Sequence, residues 1–196
     1  MTSTKPPILV RAYADESGSN HVKDPGTYIL AAAVIEVPLE EDVRATMNAM
    51  RLPGQAKLHW RDEQHGRRSS IARAVAASPT EHVVVVRSDP ADLGGSRERA
   101  RRKCFEALMW ELTGLGVEHV VFESRGKADD KRDAHMLDAM RRTHALQGKI
   151  RLDHARGREE PLLWVPDAVC GTVADTRCGT IEHYAHIESK TTIIDI

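Results

Sequence analysis

The sequence is poor in aromatic residues, with three Trp, three Tyr and two Phe making 4% of its 196 residues. Base-stacking platforms need several exposed rings, so stacking is not expected to be the main binding device. Cysteine is scarce as well. Cys104, Cys170 and Cys178 are odd in number, widely spaced and without a CxxC pair, which argues against a disulfide framework and for a reducing, cytoplasmic setting. No stretch approaches the roughly 20 apolar residues of a membrane span. The amino-terminal MTSTKPP lacks the apolar core of a secretion signal, so no membrane partner is expected. A net charge of −1 gives no global attraction for nucleic acid or lipid, and either would have to meet a local patch. There is no GxxxxGK[ST] phosphate loop and no GxSxG nucleophile elbow.

What is present reads as one folded domain spanning residues 1–196, with 41% hydrophobic and 29% charged residues. Alternation predicts a strand over 8–14 and a second, antiparallel one over 27–37, joined by the polar stretch 17–26. Helical spacing predicts helices over 39–50, 64–77, 96–113 and 129–146. The apolar, β-branched runs 82–87 and 117–122 read as central strands buried on both faces, and 149–153 reads as an edge strand. Pro166 suits a helix N1 position, giving a short helix over 166–173; the tail beyond it has no clear assignment. Two early strands followed by alternating strands and helices predict an α/β domain with a mixed sheet flanked by helices.

The stretch ILVRAYADESG ends a strand-forming run on Asp15, Glu16, Ser17 and Gly18. Adjacent carboxylates at a buried strand end cost desolvation free energy unless a cation or hydrogen bonds compensate. In open α/β sheets that end is also where ligands bind. Strand alternation separates the two acids, making Asp15 the candidate ligand and Glu16 a supporting or substrate-side group. Glu123 follows VEHVVF as Asp15 follows its own run, and Asp167 sits just after Pro166. Should the two strands be neighbours, three carboxylates meet. Asp89, after HVVVVR, is the substitute for Glu123 under a different strand order. Such a centre repels itself unless divalent cations enter it, and oxygen ligands favour Mg2+ or Mn2+. Two such ions can activate water against a phosphodiester.

Tyr13-Ala14-Asp15-Glu16-Ser17-Gly18 resembles the opening Tyr-x-Asp-Glu-Ser-Gly signature of a family of uncharacterised bacterial and phage domains with a ribonuclease-H-like fold. Lys57 in KLHW is similar to that family's lysine after its second strand and first helix. Glu123 stands where the family commonly has a strand-end Asp. Leu163 to Gly171 resembles its late Leu-Gln-x-Ala-Asp-x-x-x-Gly segment, with Trp164 and Pro166 as departures. The resemblance implies a ribonuclease-H-like mixed sheet and a metal-dependent nuclease-like hydrolase. It implies Asp15, Glu123 and Asp167 as Mg2+ or Mn2+ ligands, with Glu16 and Lys57 completing the catalytic set. Lys57 would stabilise charge on the phosphoryl oxygens. A non-catalytic nucleic-acid-binding or protein-interaction module on the same fold, or a metal-dependent phosphoesterase acting on a small molecule, remain as alternatives.

Arg97, Arg101 and Arg102 crowd the start of the long helix, where the macrodipole disfavours cations and a nucleic-acid backbone would offset it. A solvated face with Glu98 and Glu106 as partners is the plainer reading. Arg151, Arg156 and Arg158 form a second basic patch. His59 or His65, close to Lys57, would serve as a general acid or base. Cys170, Cys178, His183 and His186 lack the ligand spacing of a structural zinc site.

Overall fold

In the computed structural model, residues 9–89, 97–146 and 149–196 are described. The sheet is built first by a hairpin. β1 (Val10–Gly18) and β2 (Thr27–Glu36) pair antiparallel from Val10↔Glu36 to Gly18↔Tyr28. β3 (Thr80–Ser88) adds antiparallel to β2. On the other side, β4 (His119–Glu123) lies parallel to β1, and β5 (Arg151–Ala155) lies parallel to β4. β6 (Thr191–Asp195) closes the far edge parallel to β3, giving the order β5-β4-β1-β2-β3-β6.

The alternation of β2 explains the layering. Ile29, Ala31, Ala33 and Ile35 face one layer, while Tyr28, Leu30 and Ala32 face the other. The first layer holds α1 (Glu40–Met50), α2 (His65–Ala77) and α5 (Trp164–Arg177). The second holds α3 (Arg97–Gly114) and α4 (Lys127–Arg142). Ten consecutive residues of α5, Trp164 to Val173, are buried. The small side chains of Ala31 and Ala33 leave room for a helix that is apolar nearly all round.

The expected mixed sheet and its flanking helices are present, with revised boundaries. β1 does not stop at Ala14: Asp15 to Gly18 stay paired with β2. What stops is the pairing with β4, whose last register is Ala14↔Phe122. The last helix starts at Trp164 and not at Pro166, after a 3-10 turn over Pro161–Leu163. Pro166 is tolerated there because the first-turn N–H groups of a helix have no partner within it. α4 ends at Arg142, and His144, at φ 53°, turns the chain out of the helix. β5 is the edge strand expected near 149–153, shifted by two residues. The unassigned tail makes two 3-10 turns and β6. Ile8 and Ser96, included in the expected elements, lie outside the described residues.

His82 ties β6 to the sheet. Its ring is 1% exposed and lies 3.0 Å from Thr80 Oγ1 and 3.2 Å from Thr191 Oγ1. Burial, with the like charge of Lys190, pushes its pKa from the ordinary 6.5 down to about 4. Between those two values the unfolded chain binds a proton that the folded chain refuses. This contribution to stability is complete above pH 6.5 and is lost as the pH falls towards 4. The loss is about 3 kcal/mol across the window, at about 1.36 kcal/mol per unit. Urea midpoints measured across this range should fall less steeply for His82→Gln than for the native chain. Parallel curves would show that His82 does not set the acid sensitivity.

Candidate active site

β1 is the point where the sheet changes character, with a parallel neighbour on one side and an antiparallel neighbour on the other. The β1–β4 pairing ends at Ala14↔Phe122, and in open α/β sheets ligands bind beyond the carboxyl ends of the strands. Asp15 lies one residue beyond the last β1–β4 pair, and Glu123 is the last residue of β4. Asp167, in the first turn of α5, approaches the same place from the helix layer.

Burial, then Asp167, then Glu123 push the Asp15 pKa well above the ordinary carboxylate value. The backbone N–H of Glu16, which donates to Asp15 Oδ1 at 2.7 Å, and the charge of Lys57 act in the opposite direction. Lys57 Nζ donates to Glu123 Oε1 at 2.6 Å. Burial works against the Lys57 charge, but the Glu123 hydrogen bond and the charges of Glu123, Asp15 and Asp167 raise its pKa overall. Asp167 is 8% exposed and has a partner at each oxygen. Oδ2 accepts from Trp60 N at 2.7 Å, and Oδ1 lies 3.0 Å from His59 Nδ1. That hydrogen bond is the main reason the His59 pKa is raised.

The segment KLHW therefore supplies three of the groups that hold the acids: Lys57, His59 and the backbone of Trp60. Two glycines let the parts close. A Cβ on Gly157 would lie 2.5 Å from Glu123 Oε1. A Cβ on Gly171 would run into the indole of Trp60. Gly171 closes the segment that resembles Leu-Gln-x-Ala-Asp-x-x-x-Gly, whereas neither Gly157 nor the carboxylate-holding role of Trp60 carries a sequence signal that singles it out.

Glu16 goes the other way, as alternation predicts. It points towards α3, where Arg101 Nε donates to its Oε2 at 2.6 Å. Arg101 Nη2 also donates to Asp133 Oδ2 at 2.8 Å, and His154 Nε2 lies 3.0 Å from the same oxygen. This corrects the expected surface role of Arg101: it is 1% exposed, with its charge met by two carboxylates. Arg97 is exposed, 3.7 Å from Glu16. Arg102 lies on the outer face of α3, pairs with Glu106 at 3.0 Å and lines a groove against α4 with Trp110 and Met136. Asp89 follows β3, two strands from β1, and pairs with Arg87 at 3.1 Å; Glu123, on the neighbouring strand, is the acid beside Asp15. His65 lies against the ring of His183. Cys170 is a buried core residue whose thiol donates to Asp15 O at 3.4 Å.

Beside the acidic centre lies a cleft of about 500 Å³. Asp167 and His59 form its inner wall, the β1–β2 turn with Asn20 and His21 one rim, and Arg61, Arg68 and Arg97 other parts of the lining. The donor chemistry at the centre is three carboxylates and no soft ligand, which suits a hard divalent cation. Among the described residues, however, no three His, Cys, Asp or Glu side chains are gathered as a ready-made metal cluster.

No family model matches the sequence, and no curated protein matches it. Solved structures do resemble the fold. The ribonuclease H2 from Pyrococcus horikoshii OT3 is 13% identical and superposes with a TM-score of 0.63, over 94% of this chain and 81% of that one. The RNase HII of the PCNA:RNase HII complex from Archaeoglobus fulgidus is 15% identical with a TM-score of 0.55, over 91% and 74%. Bst-RNase HIII, solved in complex with Mn2+, is 15% identical with a TM-score of 0.58, over 87% of this chain and 53% of that one. At these identities the likeness speaks to architecture alone. The chain has a ribonuclease-H-like fold: a mixed six-stranded sheet flanked by helices.

Proposed function

We propose that this protein is a divalent-metal-dependent hydrolase of nucleic-acid phosphodiester bonds. The observation that carries the reading is the placement of Asp15 and Glu123 where the parallel β1–β4 pairing ends, with Asp167 in the first turn of α5 and Lys57 bonded to Glu123. The nuclease names of the fold's neighbours favour the same chemistry.

Asp15, Glu123 and Asp167 would hold Mg2+ or Mn2+. That cation would supply Lewis acidity towards a phosphodiester and a lowered pKa for water. The chain's own contributions are separate. Lys57 offers a fixed positive charge to the phosphoryl oxygens. His59, oriented by Asp167, presents a ring with a raised pKa at the cleft wall. Glu16 fixes the carboxyl end of β1 through Arg101. One observation favours a non-catalytic nucleic-acid-binding module instead: Asp167 already has a protein partner on both oxygens, and Glu123 already has Lys57.

Assays with labelled DNA, RNA and hybrid substrates in Mn2+ separate the two readings. The native protein should cleave at least one substrate, Asp15→Asn should cleave none, and Lys57→Met should lose roughly 10²–10³-fold in kcat. Equal turnover by native and Asp15→Asn proteins, or none by either, would defeat the catalytic reading. Thermal scans give an independent readout. Asp15→Asn should raise the Tm of the metal-free protein by removing one of three repelling charges. Mn2+ should raise the Tm of the native chain only, by about 2.7 kcal/mol of stabilisation at 100 times Kd. A lower metal-free Tm for Asp15→Asn would show that the acids do not repel as argued. Gly157→Ala should displace Glu123 and cost about 1–3 kcal/mol of stability through overpacking. Activity unchanged in that variant would place Glu123 outside the reaction.

A further inference from the structure

β1, β4 and β5 run parallel, so their carboxyl ends share one edge of the sheet. Basic side chains occupy this edge on both sides of the acidic centre. On one flank, the turn after β5 carries Arg156 and Arg158, with side chains 64% and 60% exposed. The same turn brings Gly157 against Glu123. On the other flank lies the cleft lined by Arg61, Arg68 and Arg97. Arg97 is 70% exposed. Arg61 is exposed, and among the described residues its guanidinium has no hydrogen bond or ion pair. Arg68 is the anchored member, donating to the Trp60 and Arg61 carbonyls and lying over the indole of Trp60.

The opposing charges are weak competitors. Arg156 and Arg158 share only Glu159, itself 57% exposed, and exposed pairs of this kind contribute little. Glu16 is already held by buried Arg101. From β5 to β2 the edge spans three strand spacings, about 14 Å at about 4.8 Å each. This is a basic–acidic–basic track rather than a pocket for an isolated phosphate.

We propose that one nucleic-acid strand crosses the carboxyl edge of the sheet, with its phosphates held at Arg156 and Arg158 on one side and at Arg61 and Arg97 on the other. The acidic centre then lies beneath the phosphate between them. The proposal rests on nucleic acid being the substrate and adds the path of the strand and the residues that hold it. It also removes Arg102 and Arg151 from the interface. Arg102 faces the α4 side, and Arg151 begins β5 at the opposite edge of the sheet, 72% exposed.

The test is fluorescence anisotropy with labelled single-stranded DNA and RNA oligonucleotides in EDTA, repeated over a salt series, with thermal scans to verify folding. Arg61→Glu, Arg97→Ala and the pair Arg156→Glu with Arg158→Glu should each weaken binding. Each lost arginine should reduce the slope of log K against log salt by about one. Arg102→Glu and Arg151→Glu should match the native protein. The path is overturned if the native protein binds no oligonucleotide, if either flank can be reversed without effect, or if Arg102 and Arg151 matter as much. The Mn2+ cleavage assay is scored separately. Flank-dependent binding without cleavage leaves the path standing and defeats the catalysis. Cleavage that ignores both flanks does the reverse.

Discussion

The repulsion among three carboxylates is the constraint around which the rest of this site is arranged. Each acid therefore comes with its own restraint. Asp15 has the Glu16 backbone N–H, Glu123 has Lys57, and Asp167 has Trp60 N and His59. Acids and restraints together come from β1, from β4, from α5 and from the segment before α2. Holding them together requires the close contacts at Gly157 and Gly171.

A second charged cluster balances the first across β1. Arg101, Glu16, Asp133 and His154 lie on the α3–α4 side, and Arg101 is among the largest fully buried side chains. A buried ion network of this kind contributes little net stability against an apolar equivalent, but breaking one partner is costly. Its effect here is geometric. It fixes Glu16 on one face of β1, and the peptide that joins Glu16 to Asp15 carries that restraint to the other face.

Much of this was legible in the sequence, for physical reasons that differ by element. β2 and β3 are long, nearly continuous apolar runs, and their burial on both faces follows from that. The positions of Asp15 and Glu123, just past the last β1–β4 pair, were readable because acids adjoining buried strand residues are costly and hence conspicuous. Arg101 was misread because charge at a helix start suggests solvent, and only the tertiary structure reveals Glu16 and Asp133 beside it. β6 was missed because TTIID is short and largely exposed, so one partner strand decides its conformation. Trp60 and Gly157 act through a backbone N–H and an absent side chain, neither of which leaves a compositional trace. The early start of α5 follows from a proline placed where the helix has no hydrogen bond to lose.

The position of α5 has a further consequence for how the molecule assembles. The hairpin of β1 and β2 is local and can form early, whereas Asp167 must travel from far along the chain to meet Asp15. Closing so long a loop costs conformational entropy before any contact across it is gained. Trp60, Gly171 and the ten buried residues at the start of α5 must dock together before the third acid is in place. Asp167 therefore reaches its place beside Asp15 only where the apolar contacts that seat α5 are made. A partly folded molecule would carry Asp15 and Glu123 without the group that turns them into a centre.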